Sequence, residues 1–166
     1  HQTIVPIAGR MCGCARPGHL EAYASGTSIA KRVRESLEAG QESILQSRFG
    51  QTEPLSSLTA ADVARAARDG DPFSQRIWVE TGFFLGLGIV NVVQMFNPDV
   101  VVLGGGVTRA WDLFIGPTLE TVYERLMPAY CGTFSIERAA LGDLVGVMGA
   151  VGLAKAHGLL KVAEAG

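Results

Sequence analysis

Apolar residues recur at helical spacing along most of the chain, and glycine, proline or a capping residue separates one run from the next. Ile29, Val33 and Leu37, for example, lie on one face of a helix, and Gly40 follows as its expected end. Residues 41–57 are polar without a period and predict a loop around a short helical piece. The predicted helices cover residues 20–24, 27–39, 59–69, 71–96, 110–126 and 144–156.

Two of the predicted helices begin with strong capping signals. Thr59 precedes Asp62 by three residues, which is the spacing of a capping box with Asp in the acid position. Asp71 precedes Pro72, and a proline is tolerated at the first position of a helix. We therefore expect the side chains of Thr59 and Asp71 to cap the helices that follow them.

Glycines inside two predicted helices require a packing explanation. Gly82, Gly86 and Gly88 each cost about 1 kcal/mol of helix propensity relative to alanine, so close approach of another backbone is expected beside them. The second half of that helix is apolar nearly all round, which predicts burial on most sides. The last helix carries three glycines as well, and we expect tight packing there too; they are Gly146, Gly149 and Gly152.

The strand signals place a glycine-rich turn at a strand end. Residues 100–103 (VVVL) form a β-branched run typical of a strand buried on both faces, and residues 133–138 alternate like a half-buried or edge strand. Gly104, Gly105 and Gly106 follow the first strand directly and precede a helix. This order predicts an α/β fold whose ligands bind at the carboxyl ends of strands. With no internal repeat or boundary, residues 1–166 are predicted to form a single domain.

Composition narrows the class of protein. Charged residues make up 18% and apolar residues 48%, as in a soluble globular chain, and a formal charge of −2 gives no reason to expect nucleic-acid binding. The apolar run at 81–96 is interpreted as too short for a membrane span. No signal peptide is evident. Three cysteines cannot build a disulfide framework, which favours a cytoplasmic location for the protein. The side chain of Cys131 is expected to be buried in the core.

Four metal-ligand side chains lie within the first nineteen residues: His1, Cys12, Cys14 and His19. Two thiolates and two imidazoles suit a tetrahedral zinc site, and the Cys-Gly-Cys turn lets both sulfurs reach one ion. The spacing is not that of a zinc finger, and small buried cysteines can cluster by chance, so spacing leaves both interpretations open. A disulfide across one residue is disfavoured by strain.

The residues of this segment resemble a known zinc signature. His1 is followed by CxCxxxxHxE, ending at Glu21, and by AYASG at 22–26, and the whole resembles the zinc motif of the ROK family (repressors, open reading frames and sugar kinases). The chain departs from that motif where His19 stands in place of the usual third cysteine, where Ala15 replaces a common glycine, and in a loop about one residue longer. The segments at 97–107 and 141–154 resemble further ROK segments.

The resemblance implies roles for particular residues. Residues 1–26 would form a zinc- and sugar-binding loop, with a structural zinc ion held by His1, Cys12, Cys14 and His19. His1, through its second ring nitrogen, and Glu21 would bind sugar hydroxyls. Gly104, Gly105 and Gly106 would lie along the adenosine and phosphates of ATP. The implied fold is the ribonuclease-H-like actin/hexokinase type, of which this chain would be the carboxy-terminal lobe without the amino-terminal one.

The resemblance also implies an activity. The parent protein would be an ATP-dependent sugar kinase acting with magnesium on glucose or a related hexose, most readily a glucokinase. The family's DxGxT loop and catalytic Asp are absent from this sequence, so no catalytic residue is nominated and the chain alone is expected to be inactive.

Other interpretations remain open at this point. One is the sugar-sensing lobe of a ROK repressor, another an N-acetylmannosamine kinase, and a third a bare interaction domain. No membrane partner is expected, and nucleic acid is expected as a partner only if the parent protein is a repressor. We predict that the protein forms a homo-oligomer, most simply a dimer.

Overall fold

The computed structural model describes residues 1–140, 142 and 145–157, and these residues form an α/β fold. The helices are α1 (Glu21–Ala24), α2 (Gly26–Glu38), α3 (Ala60–Arg68), α4 (Pro72–Phe96), α5 (Trp111–Arg125) and α6 (Val145–Ala156). The strands are β1 (Val100–Leu103) and β2 (Ser135–Arg138). Short 3₁₀ helices cover Ile44–Ser47, Leu55–Ser57, Gly106–Ala110 and Pro128–Tyr130. The predicted first residue of α6, Leu144, and its expected terminator, Gly158, lie outside the described residues.

The predicted capping of α3 and α4 is confirmed. The Thr59 side chain accepts a hydrogen bond from the Asp62 backbone, and the Asp62 carboxylate accepts one from the Thr59 backbone at 3.0 Å. The Asp71 carboxylate accepts from the backbone N–H of Ser74 at 2.9 Å, with Pro72 in the first turn. Both helices therefore begin where local side-chain chemistry satisfies their free N–H groups.

The main core lies where α2, α3, α4 and α5 meet. Its largest fully buried side chains include Trp78 of α4 and Phe114 of α5, whose rings stack at 6.4 Å between centroids. Ile29 and Val33 from α2 join them, as the four-residue spacing predicted, and Val63 comes from α3.

Two glycines of α4 allow the backbone of α5 to pack closely against it. A Cβ atom at Gly82 would lie 2.6 Å from the backbone oxygen of Phe114, and one at Gly86 would lie 2.6 Å from Cβ of Thr121. The hydroxyl of Thr118 donates to the Gly82 oxygen at 3.1 Å, which adds a hydrogen bond between the two helices. The expected close approach is thus confirmed at Gly82 and Gly86.

The two strands pair in parallel, with Val100 opposite Ser135 and Leu103 opposite Arg138. The strand prediction is confirmed, but the prediction that β1 is buried on both faces is wrong. Val100 and Val102 are 46% and 57% exposed, whereas the alternate residues of β1 pack against α4 and α5. The reason is that, among the described residues, the sheet has two strands and one covered face.

The prediction that the second half of α4 is buried on most sides is wrong for its last turn, where Met95 and Phe96 are exposed because no described element covers them.

The interpretation of the apolar run at 81–96 as too short for a membrane span is also corrected, because that run belongs to a longer helix. Among the described helices, the 25-residue α4 is long and apolar enough, by length and composition only, to cross a membrane, since an 18-residue stretch of it has a mean hydropathy of 1.5. A core helix passes the same test, and α4 packs against α1, α2, α3 and α5.

Two further packing predictions are wrong. Gly146, Gly149 and Gly152 of α6 have no heavy atom within 4 Å of a Cβ built on them, because no described element lies against that helix face. Cys131 is exposed, since it follows a surface 3₁₀ helix and does not enter the core.

Candidate metal, sugar and nucleotide sites

The first twenty residues fold back on themselves to form a loop, which we call the metal loop (residues 1–20) after the four candidate metal ligands that it carries. Antiparallel bridges join Thr3 to His19 and Met11 to Pro17, so the two ends of the loop run side by side. The backbone N–H of Gly18 donates to the Arg10 oxygen at 2.9 Å and so ties the first arm of the loop (residues 1–12) to its second arm (residues 16–20). The resemblance implied a loop here, but these pairings depend on contacts across its length.

Two glycines make the crossing of the arms possible. A Cβ atom at Gly9 would lie 2.5 Å from Cα of Gly18, and one at Gly18 would collide with the backbone oxygen of Val5. Gly18 also has a φ of +78°, a conformation that side chains disfavour. Any larger residue at Gly18 would push the arms apart and separate the ligands that they carry.

The four predicted ligands are brought together. Donor atoms of His1, Cys12, Cys14 and His19 all lie within 4.8 Å of one another, and Sγ of Cys14 is 3.1 Å from Nδ1 of His19. The rings of His1 and His19 stack at 5.0 Å. A tetrahedral zinc ion holds its ligand atoms about 3.3–3.8 Å apart, as its bond lengths require. This donor set therefore fits zinc with shifts of about 1 Å.

The two thiols of this cluster differ in exposure. Cys12 is buried, whereas Cys14 is exposed, and both are free. The backbone N–H of Cys14 lowers the pKa of Cys12, but burial, the Cys14 thiol and the Glu21 carboxylate together raise that pKa above its ordinary value. Since a divalent cation favours the thiolate, metal binding here would be coupled to loss of a proton.

Glu21, the first residue of α1, adjoins the ligand cluster. Its Oε2 atom lies 3.1 Å from Nδ1 of His1 and 3.6 Å from Sγ of Cys12. The side chain is 46% exposed, so its carboxylate remains open to a ligand from solvent. The two residues nominated for sugar binding are therefore adjacent, and Nδ1 of His1 faces Glu21.

The metal loop is anchored to the core through α4. A Cβ atom at Gly88 would lie 2.8 Å from the side chain of Leu20 and 3.1 Å from that of Gln2. The amide of Gln2 also donates to the Gly88 oxygen at 3.3 Å. Side chains of the metal loop, and not another backbone, therefore explain this third glycine of α4.

The glycine turn after β1 opens on a cavity of about 290 Å³. Gly105 has a φ of +94°, and a Cβ atom at Gly105 or Gly106 would meet no heavy atom of the described residues within 4 Å, so the backbone is accessible there. A Cβ atom at Gly104 would lie 3.5 Å from the Cβ of Ala139, which is an ordinary van der Waals contact. The opposite wall is formed by Ala24, Ser25 and Gly26, where α1 ends and α2 begins.

Helix α1 therefore connects the two candidate sites. It has four residues, so its axis is about 6 Å long at the rise of an α-helix. Glu21 at its start adjoins the metal cluster, and Ala24 at its end lines the cavity of the glycine turn. A sugar at the first site and a nucleotide at the second would be close neighbours.

Sequence reasoning missed a network of contacts behind α1. The Arg32 side chain is 4% exposed, donates to the Tyr23 oxygen at 2.7 Å and pairs with Glu80 at 2.5 Å. Burial lowers the pKa of Arg32 and the Glu80 carboxylate opposes that shift. The only signal in the sequence is a cation beside the apolar positions of α2, which is too common to be informative.

Solved structures define the class of this protein. The chain resembles a ROK family glucokinase from Streptomyces griseus, in complex with glucose and AMPPNP, with a TM-score of 0.77 and 27% identity over 94% of this chain and 50% of that one. It also resembles a ROK hexokinase from Thermus thermophilus, with a TM-score of 0.71 and 29% identity over 90% of this chain and 45% of that one. The fold is thus the actin/hexokinase-like fold of these sugar kinases.

The chain belongs to the ROK family, whose sequence profile matches residues 1–157. The glucokinase of Thermotoga maritima is 32% identical over 153 residues, which are 92% of this chain and 47% of that protein. The DNA-binding transcriptional dual regulator NagC of Escherichia coli is 28% identical over 93% of this chain and 36% of its own length. The chain therefore spans about half the length of the glucokinases, and its relatives include both kinases and regulators.

Proposed function

We propose that this chain is the metal- and sugar-binding lobe of an ATP-dependent ROK sugar kinase that phosphorylates glucose or a related hexose. The observation that carries the proposal is the position of α1. Its first residue, Glu21, adjoins four convergent metal ligands, and its last residue, Ala24, lines the cavity of the glycine turn. Phosphoryl transfer needs the acceptor hydroxyl and the phosphates close together, and this arrangement provides adjacent sites for both.

Zinc is the metal that the loop would hold, through His1, Cys12, Cys14 and His19. Two sulfur and two nitrogen donors suit zinc, and their mutual distances are close to tetrahedral. When bound, zinc would fix the shape of the loop and take no part in phosphoryl transfer. Because the ligands span both arms, the ion would hold His1 beside Glu21.

Glu21 and His1 would recognise the sugar. A carboxylate accepts hydrogen bonds from adjacent sugar hydroxyls, and the Glu21 side chain is nearly half exposed next to the metal cluster. The glucose present in the Streptomyces griseus structure supports a hexose ligand. N-acetylmannosamine remains the second candidate substrate.

Gly104, Gly105 and Gly106 would bind ATP with magnesium. The accessible glycine backbone faces the amino end of α2, whose 13 residues give it free N–H groups and a positive dipole end. The AMPPNP of the Streptomyces griseus glucokinase supports a nucleotide here. No DxGxT loop occurs in this sequence, and in this proposal that loop and the catalytic base would belong to a further lobe of the complete protein.

Calorimetric titration of the zinc-loaded chain with glucose tests this proposal. We expect Glu21→Gln to weaken glucose binding at least about tenfold, because a hydrogen-bonded charge is lost, while zinc content stays at the wild-type level. Glu124→Gln, at an exposed position of α5, is the matched control and should bind glucose normally. Equal glucose affinity of the Glu21→Gln and wild-type chains would remove Glu21 from the sugar site.

A sugar-sensing lobe of a ROK repressor is the second candidate, and the similarity to NagC favours it. A sensor performs no phosphoryl transfer and therefore has no chemical need for a nucleotide. Titration with AMPPNP and magnesium separates the two functions. Binding that Gly105→Val abolishes supports the kinase, whereas glucose binding without any nucleotide binding supports the sensor. Cytoplasmic location and a homodimer stay predictions.

A further inference from the structure

Tyr23 connects α1 to the metal loop through its phenol oxygen. The backbone N–H of Arg10 donates a hydrogen bond to that oxygen at 2.7 Å. We infer that Tyr23 is a positioning residue, whose hydroxyl holds the two arms of the metal loop in register for metal binding. The inference rests on the proposed zinc role of the loop and extends it to a residue that does not touch the metal.

The backbone of Arg10 contacts both Tyr23 and the second arm of the metal loop. Its N–H is held by Tyr23, and its carbonyl oxygen accepts from the N–H of Gly18 at 2.9 Å. Cys12 follows Arg10 by two residues on one arm, and His19 follows Gly18 directly on the other. Holding Arg10 at both its N–H and its carbonyl oxygen therefore restricts ligands from both arms.

Tyr23 is itself held rigidly. It is 6% exposed, and its ring lies 4.1 Å from that of Phe84, in the same cluster as the buried Cys12. Its carbonyl oxygen accepts from the guanidinium of Arg32, which Glu80 holds in turn. The phenol oxygen is thus a fixed point tied to α2 and α4, and the loop is positioned against the core.

The hydroxyl would act through preorganisation. A loop already held in its metal-binding shape loses less conformational freedom when the ion binds, and the affinity rises accordingly. The side chain of Arg10 adds a second attachment, since its guanidinium pairs with Glu35 of α2 at 2.6 Å. That ion pair is exposed and contributes little, which leaves the buried phenol as the principal attachment of Arg10 itself.

Tyr23→Phe tests the inference because phenylalanine keeps the ring and its contact with Phe84 but removes the acceptor. Tyr123→Phe, at an exposed position of α5, is the matched control. We expect hydrogen exchange of the Arg10 amide to become about fivefold faster in Tyr23→Phe, and zinc affinity in chelator competition to fall about fivefold, as for one lost hydrogen bond. The cobalt-substituted loop should keep its absorption bands, since the ligands are unchanged.

The outcomes separate this inference from the proposed function. A role limited to ring packing predicts no change in Tyr23→Phe, so wild-type zinc affinity or wild-type exchange at Arg10 overturns the inference alone. Failure of the wild-type chain and of Tyr123→Phe to bind zinc overturns the metal loop and the inference with it. Circular dichroism confirms that each variant is folded before either comparison is made.

Discussion

Asp71 is a buried carboxylate on which the start of α4 depends. It is 3% exposed and accepts hydrogen bonds from the Ser74 backbone at 2.9 Å and the Ser43 hydroxyl at 2.8 Å. Burial alone would raise the pKa of Asp71, but these hydrogen bonds outweigh it and hold that pKa below the ordinary 3.8. The ionised carboxylate is therefore the form that stabilises the fold.

We predict that Asp71→Ala lowers the free energy of unfolding by about 1–3 kcal/mol near neutral pH, through the lost cap and buried hydrogen bonds. Because the folded pKa lies below the unfolded one, this contribution is complete above the unfolded pKa and disappears as the pH falls through the folded pKa. Urea unfolding near neutral pH and below about pH 3 measures the difference. The exposed Asp69→Ala is the control, and an equal Asp71→Ala effect at both pH values would contradict the account.

Residue chemistry also decides how much of the site the sequence could reveal. Cys12, Cys14 and His19 are recognisable because few other side chains bind zinc, and a short loop carries them. Tyr23 and Arg32 are not recognisable, since their roles depend on Arg10 and Glu80, which are distant in sequence. Folding, and not local pattern, creates those contacts.

The interface between α4 and α5 is the element-level feature most sensitive to side-chain size. Gly86 faces Thr121 and the backbone oxygen of Thr118, and a Cβ atom would lie 2.6 Å from the former and 2.9 Å from the latter. A Cβ atom at Gly149 of α6, by contrast, would meet no other part of the described chain within 4 Å. The two positions separate helix propensity from packing.

We predict that Gly86→Ala destabilises the chain by about 1–3 kcal/mol, because overpacking outweighs the gain in helix propensity. Gly149→Ala should be neutral or slightly stabilising. Denaturant midpoints of both variants and the wild type provide the measurement. A Gly86→Ala variant as stable as the wild type would mean that α4 and α5 are not in direct contact at this point.

Local signals predicted elements well and their environments less well. The capping residues Thr59 and Asp71 act within one helical turn, so the sequence displays them directly. The burial of β1 depends on which elements cover its two faces, and VVVL carries no information about them. The same reason explains α6, whose glycines matched those of α4 in the sequence and yet have no described element packed where a Cβ atom would stand.

At the scale of the whole molecule, α1 places the candidate sugar and nucleotide sites at its two ends. The sequence predicted both sites but not their proximity, which follows from how β1 and the metal loop meet at α1 and α2. The chain spans about half of its glucokinase relatives, so a complete active centre is a property of the longer protein in the proposed account.

We predict that the 166-residue chain alone has no hexokinase turnover, because no DxGxT loop occurs in its sequence and the resemblance assigns the catalytic Asp to none of its residues. A coupled assay with glucose, ATP and magnesium checks this, with full-length Thermotoga maritima glucokinase as the positive control. Turnover above the level of a protein-free reaction would show that the isolated chain supplies its own base.

The central claim is that the first twenty residues form a zinc loop beside the sugar site. Its most direct test is the metal content of the purified, unchelated chain, measured by mass spectrometry, with Cys12→Ser, Cys14→Ser and the exposed Cys131→Ser. We predict one zinc ion per chain in the wild type and in Cys131→Ser, and none in the other two variants. A folded wild-type chain without zinc would contradict the loop and remove the assignments of His1 and Glu21 with it.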